Sequence, residues 1–284
     1  MNVIELSNIR KTFPGFTLDN LTLHIPEGTI CGLVGENGAG KSTTIRLLMG
    51  AMRPDSGTAK VFDIDSRSAA FREAKENIGV VLDEAYFPET LNALQVGRVL
   101  RETYQNWDSA QYAEFLKRFD LPEKKPFKTY SRGMRMKLAL ATALSHHAKL
   151  LVLDEATAGL DPIMRDEVLE LFREFTRQED HSILISSHIL SDLEKLCDSV
   201  AFLHRGKLLF HEDRDSLLDK YGIFHGTFEQ AESLLPEAVV GREQSQYGGV
   251  RALVRRDSIP AGLELERPNI EDVILFMSKG EKQA

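Results

Sequence analysis

The segment Gly35-Glu36-Asn37-Gly38-Ala39-Gly40-Lys41-Ser42 constrains the fold more than any other, because of what stands on either side of it. Before it, Thr29-Ile30-Cys31-Gly32-Leu33-Val34 is apolar enough for an interior parallel strand. After it, Ser42 to Leu48 carries helix-forming residues with no breaker. The loop satisfies G-x-x-x-x-G-K-[ST], the pattern of a phosphate-binding turn between a strand and a helix. Glycine lets such a turn take positive φ and lets backbone N–H groups approach phosphate oxygens, while the next helix points its positive dipole end at them. The pattern predicts an α/β fold with a bound nucleoside triphosphate. Gly35, Asn37, Gly38, Ala39, Gly40 and Thr43 would contact it, Lys41 would reach the β/γ-phosphates, and the Ser42 hydroxyl would sit on Mg²⁺.

A second constellation must lie beside the first if that reading holds. Leu150-Leu151-Val152-Leu153-Asp154-Glu155 is four apolar residues ending in two carboxylates. Such a run reads as a central strand of a parallel sheet, whose carboxyl end is where α/β proteins place ligand chemistry. Asp154 suits Mg²⁺, held through its water shell, and Glu155, one residue later, points elsewhere and is placed to activate a water.

Between the two lies Tyr130-Ser131-Arg132-Gly133-Met134-Arg135-Met136-Lys137-Leu138-Ala139-Leu140-Ala141. This stretch resembles the signature of ABC-type ATPases, a short Ser-Gly-Gly segment opening a helix. Ser131 and Gly133 match it, while Arg132 replaces its first glycine and Met134 its glutamine. The resemblance implies a P-loop NTPase of the ABC ATPase type, in which a head-to-tail dimer closes each signature over the partner's γ-phosphate. Read from the residues alone, Ser131 fits an ordinary helix N-cap better.

Further matches follow in the family's order. Ala158-Gly159-Leu160-Asp161 resembles the segment that crosses the dimer interface, with Asp161 near the opposite phosphate loop. After a helix pattern from Met164 to Arg177, Ser182 to Ser187 reads as a buried strand and ends at His188, the place of the family's switch histidine, which contacts the γ-phosphate. Lys11-Thr12-Phe13 resembles the position from which an aromatic ring stacks on adenine; read from the residues alone, Phe13 or Phe16 could simply pack under a loop. Ile78 to Leu82 leads in most relatives into a glutamine that touches Mg²⁺; here Asp83 stands in that place, shorter and charged, followed by Glu84.

The 284 residues and 42% hydrophobic content allow a sizeable core in one large or two modest domains. No apolar run approaches the roughly 18 residues that span a bilayer, and the first residues carry no signal pattern, so a cytosolic location is expected. Cys31 and Cys197 are far apart in apolar contexts, as packing thiols of a reducing compartment would be. A formal net charge of -8 argues against broad nucleic-acid binding.

Strand-like segments at Asn2–Leu6, Leu18–Ile25 and Thr58–Val61 occupy the first 84 residues. Helix-period segments Asn92–Tyr104 and Ser109–Phe119 mark where the family carries its helical subdomain, here about 85–149. The sheet resumes at Leu150 and runs through Ser199–Leu203, with Arg205-Gly206-Lys207 turning into Leu208–Phe210. An ATPase domain over 1–220 is followed by an accessory region over 221–284. There Phe224–Phe228, Ala238–Arg242, Val250–Val254 and Leu263–Glu266 suggest a small β-rich appendage, and Pro268 to Met277 a closing helix with acidic residues in its first turn.

The resemblance implies ATP hydrolysis with Mg²⁺ at two composite sites of a homodimer or closely related heterodimer. It implies a separate membrane-spanning permease subunit, with this chain peripheral at the inner face of the membrane, and the expectation of export rests on the resemblance of the single-ATPase layout and the C-terminal ending to exporter systems. The segment around Tyr86 to Leu91 would help form the groove for a coupling helix of that permease. The alternative is a soluble ABC ATPase acting in DNA repair or on ribosomes. Repair members usually carry a long coiled-coil insertion and ribosomal members two fused ATPase halves, and the sequence has neither.

Overall fold

The computed structural model describes residues 1–83, 87–244, 249–260 and 262–280. Strands β1 (Asn2–Phe13) and β2 (Phe16–Pro26) form a hairpin closed by Pro14-Gly15, with Phe13 paired to Phe16 across the turn. Both outrun the segments Asn2–Leu6 and Leu18–Ile25, because their outer ends are partly exposed and polar and carry no apolar alternation. Strand β3 (Ile30–Val34), buried at every position, runs into the loop ahead of α1 (Lys41–Leu48). Strands β4 (Ser56–Val61) and β5 (Ile64–Asp65) complete an antiparallel sheet of order β2-β1-β4-β5.

The short helix α2 (Phe71–Ala74) leads into β6 (Ile78–Val81). Helices α3 (Ala93–Arg101), α4 (Ser109–Arg118) and α5 (Arg132–Leu144) follow. Each starts on a side-chain cap: Asn92 in a reciprocal capping box with Gln95, Asp108 accepting from Ala110 and Gln111, and Ser131 accepting from Met134. Their apolar faces meet around Tyr112, Leu116, Phe119, Phe127 and Met136, and the Tyr112 hydroxyl donates to the Ala93 carbonyl at 2.9 Å.

Strand β7 (Leu150–Asp154), helix α6 (Pro162–Phe175), strand β8 (Ser182–Ser187), helix α7 (Leu190–Leu196) and strands β9 (Ser199–His204) and β10 (Lys207–Asp213) finish the central layer. Its order is β10-β9-β3-β8-β7-β6, parallel throughout except for the β9–β10 hairpin. Successive strand residues face opposite ways, so a strand buried on both faces must be apolar without interruption. Cys31, Leu33, Leu150, Val152 and Leu184 accordingly pack toward α1 and the antiparallel sheet. Ile30, Val34, Leu151, Leu153, Ile183 and Ile185 pack toward α5, α6 and α7.

Helix α8 (Arg214–Lys220), strand β11 (Tyr221–Gly226), helix α9 (Phe228–Glu232), strands β12 (Val239–Gln244) and β13 (Val250–Arg255), and helix α10 (Ile270–Gly280) form the last region. Its antiparallel sheet has the order β11-β13-β12. Two expectations need correction. Phe228 opens α9 on a Thr227 cap and does not extend a strand. Leu263–Glu266 forms no strand; only Glu266 bridges to Ile223, with its alternating neighbours left unpaired. Ile270, Val273 and Phe276 of α10 merge with the core that surrounds α5 to α7. Both cysteines are free and buried, as packing thiols, and burial pushes the Cys31 thiol up to about 12.

Candidate active site

The loop between β3 and α1 is shaped by close contacts as much as by glycine freedom. Gly40 sits at φ +115°, and a Cβ there would stand 3.0 Å from Leu18 Cδ1 and 3.1 Å from Phe16 Cζ. Phe16 therefore packs against the loop, and both Phe13 and Phe16 line the cavity beside it. The loop forms one wall of a cavity of about 610 Å³ lined by Phe13, Asn37, Gly38, Gly40, Lys41, Ser42, Thr43, Asp83 and Glu155, among others. Nine of the residues expected at the site thus meet in one place. Glu36, Arg46 and Met52 also line it, and no sequence pattern had singled them out.

The open end of α1 faces this cavity, supplying backbone N–H groups and a dipole for an anion. Lys41 is buried; its ammonium donates to the Gly35 carbonyl at 2.7 Å and lies 3.6 Å from Glu155 Oε1. Gly35 thus serves through its carbonyl, and Ala39 is packed beneath the loop.

Adjacent strands deliver the carboxylates and their partners. In the β7–β8 ladder Asp154 stands opposite Ser186, and the Ser186 hydroxyl donates to Asp154 Oδ1 at 2.5 Å. Glu155 follows at φ +53°, a left-handed conformation that costs a non-glycine residue about 1–2 kcal/mol. Its N–H donates to the Ser186 carbonyl at 3.0 Å, which holds the turn. The turn sends the Glu155 side chain back toward Lys41, while Oε2 lies 2.6 Å from His188 Nδ1. Lys41, Glu155 and His188 form one connected chain of polar groups. Ser186 was missed in the sequence; its place directly ahead of Ser187 and His188 at a strand end was the available signal.

Ser131, Gly133 and Asp161 are not among the residues lining this cavity. Ser131 caps α5 and Asp161 caps α6, accepting from Met164 at 3.1 Å. Asp83, half exposed, takes an ion pair from Arg132 Nη2 at 3.0 Å. Glu84 and Tyr86, the latter opening the segment expected to form a coupling groove, lie outside the described residues.

The donors available to a metal are the Ser42 hydroxyl and the carboxylates of Asp154 and Asp83, all hard oxygens. Among the described residues no cluster of three or more His, Cys, Asp and Glu could hold a metal by itself. Hard oxygen donors of this kind fit Mg²⁺, which keeps waters and is bound by one or two carboxylates together with substrate phosphates.

A phosphate loop ahead of a helix, paired with an acidic strand end in the same parallel sheet, defines a P-loop nucleoside triphosphatase. Residues 18–158 match the family described as ABC transporter. Over 270 residues the chain is 32% identical to the uncharacterized ABC transporter ATP-binding protein YhcH of Bacillus subtilis (strain 168), covering 93% of this chain and 87% of that one. It is 34% identical to the lantibiotic transport ATP-binding protein SrtF of Streptococcus pyogenes, over 75% of this chain and 92% of the relative. A solved structure described as the ATP binding subunit of an ABC transporter superposes with a TM-score of 0.69 at 25% identity, covering 76% of this chain and 91% of its own. The chain belongs to the ABC transporter ATP-binding proteins, and it binds and hydrolyses ATP as their ATPase subunit.

Proposed function

We propose that this ATPase works as a homodimer, or with a closely related second chain, and powers export through a separate membrane-spanning subunit at the inner face of the membrane. The observation that carries the catalytic part is that Lys41 and Glu155 of the cavity wall connect onward to His188 behind them through Glu155 Oε2. In this reading Phe13 stacks on adenine and the backbone from Gly38 to Ser42, with Lys41, takes the phosphates. Glu155 activates water and His188 contacts the γ-phosphate. Ser42, Asp154 and Asp83 would hold Mg²⁺, which when bound neutralises phosphate charge.

Ser131, Gly133 and Asp161 lie outside the cavity wall, and a second copy arranged head to tail would bring them to its nucleotide. ATP then closes the dimer and hydrolysis opens it, which moves the partner through its cycle. Among the described residues no helix is long and apolar enough to cross a membrane. The relative described as a lantibiotic transport ATP-binding protein supports the transport reading. We assign 1–220 to the ATPase domain, with a helical subdomain over about 85–149, and 221–284 to an accessory region.

The test pairs wild type with Glu155→Gln, measuring ATP turnover and ATP-dependent mass by light scattering on the same samples. The expected result is turnover in the wild type, loss of turnover in the variant, and accumulation of the variant as an ATP-bound dimer. Turnover in Glu155→Gln equal to wild type would remove Glu155 as the base.

A further inference from the structure

Of the three residues that depart from the family pattern, two stand 49 positions apart, Arg132 in the signature and Asp83 just beyond β6. The fold brings them together: Arg132 Nη2 donates to Asp83 Oδ1 at 3.0 Å. The guanidinium also lies across the loop that follows Glu155. A Cβ on Gly159 would stand 2.8 Å from Arg132 Nη1 and 3.0 Å from its Cζ, and Gly159 sits at φ +72°. A side chain at 159 would push the guanidinium away. One side chain therefore ties the first turn of α5 to Asp83 in the cavity wall and to the Gly159 turn.

Both partners are more than half or half exposed, at 58% and 50%. An exposed pair contributes little to stability. What it does fix is the position of a charged oxygen that a metal-bearing nucleotide also needs. Carboxylate oxygens suit both a guanidinium and Mg²⁺, and Asp83 Oδ1 serves one at a time.

We infer that Arg132 is a positioning residue that holds Asp83 in a charge latch, and that Asp83 exchanges the guanidinium for the metal when Mg²⁺-nucleotide enters the cavity. The exchange releases α5 from the cavity wall and frees the Arg132 cation beside Ser131, where the family offers only a glycine. Metal entry and movement of the helical segment become one event. The inference rests on the nucleotide-site reading given above.

The test uses the full chain and a fluorescent ATP analogue, titrated with MgCl₂ and, separately, bound in excess chelator. The midpoint of the Mg²⁺-dependent rise in analogue binding is read for wild type, Arg132→Gly, Arg132→Lys, Asp83→Asn and the Asp83→Asn/Arg132→Gly double variant. Loss of a competing exposed ion pair corresponds to about a two- to fivefold change. Arg132→Gly is expected to lower the Mg²⁺ midpoint by that factor, Arg132→Lys to stay near wild type, and Asp83→Asn to raise it. In the Asp83→Asn background the Arg132 substitution should have no further effect. An equal shift in both backgrounds, or none in either, overturns the latch and leaves the nucleotide site standing. Failure of wild type to bind the analogue, with or without metal, overturns the site reading and the latch with it.

Discussion

His188 Nδ1 lies 2.6 Å from Glu155 Oε2, and the other oxygen of the same carboxylate lies 3.6 Å from the buried Lys41 ammonium. Glu155 is therefore held at both ends, by a cation that is fixed in the phosphate loop and by an imidazole that is more exposed. Removing the imidazole in His188→Ala should lower kcat by about a hundredfold, the scale of one positioned proton-transfer or orienting group, with KM for ATP little changed. Steady-state ATPase assays decide this, and an unaltered kcat would reduce the contact to packing.

Ser186 holds Asp154 by a buried hydrogen bond to a charged acceptor. Such bonds contribute about 1.5–3 kcal/mol, and Ser186→Ala should destabilise the fold by that amount in urea unfolding. It should also weaken the Mg²⁺ dependence of nucleotide binding, because Asp154 loses its orienting donor. A variant as stable as wild type would show that a water replaces the hydroxyl.

Phe13 and Phe16 are 6.2 Å apart between ring centres and both line the cavity, but Phe16 also packs against the Gly40 turn. Phe13→Ala removes a lining ring and should raise KM for ATP by about 5- to 100-fold, the range of one base-stacking contact. Phe16→Ala undermines the packing below Gly40 and should appear first as a lowered unfolding midpoint. Equal KM effects with unchanged stability would contradict the division between them.

His146 is buried against Tyr104, and burial holds its pKa below the ordinary 6.5. As pH falls the unfolded chain takes up this proton first, so the stability His146 contributes is complete above pH 6.5 and drains away below it, toward the depressed folded value. Between about pH 7.5 and about pH 5.5 the unfolding temperature should fall further in wild type than in His146→Gln. Parallel curves would refute the assignment.

The phosphate loop and the β7 carboxylates were legible because each is contiguous: local chemistry and burial pattern lie in one short run. Lys41 to Glu155 was legible as a consequence of two such runs sharing a parallel sheet. Ser186 was hidden, because a serine at a strand end is unremarkable until the register sets it opposite Asp154. The Arg132–Asp83 pair was hidden for a different reason, since nothing local links residues on separate elements. Helices α7 and α8, at seven residues each, are too short to show an apolar period. Leu263–Glu266 misled in the opposite direction: alternation without a neighbouring strand makes no sheet.

The pairing of Asp154 with Ser186 makes the reacting centre a matter of counting. Each step along a strand advances about 3.3 Å and reverses the side chain, so two neighbouring ladders act as a vernier that brings hydroxyl, carboxylate and imidazole into line only at one setting. A single residue lost from β8 would turn the hydroxyl to the opposite face and draw the imidazole back along the strand. The phosphate loop would remain whole. On the proposed roles of Glu155 and His188, such a protein would still grasp its nucleotide but would have lost the means of letting it go, and a transport cycle fails as surely by never releasing as by never binding.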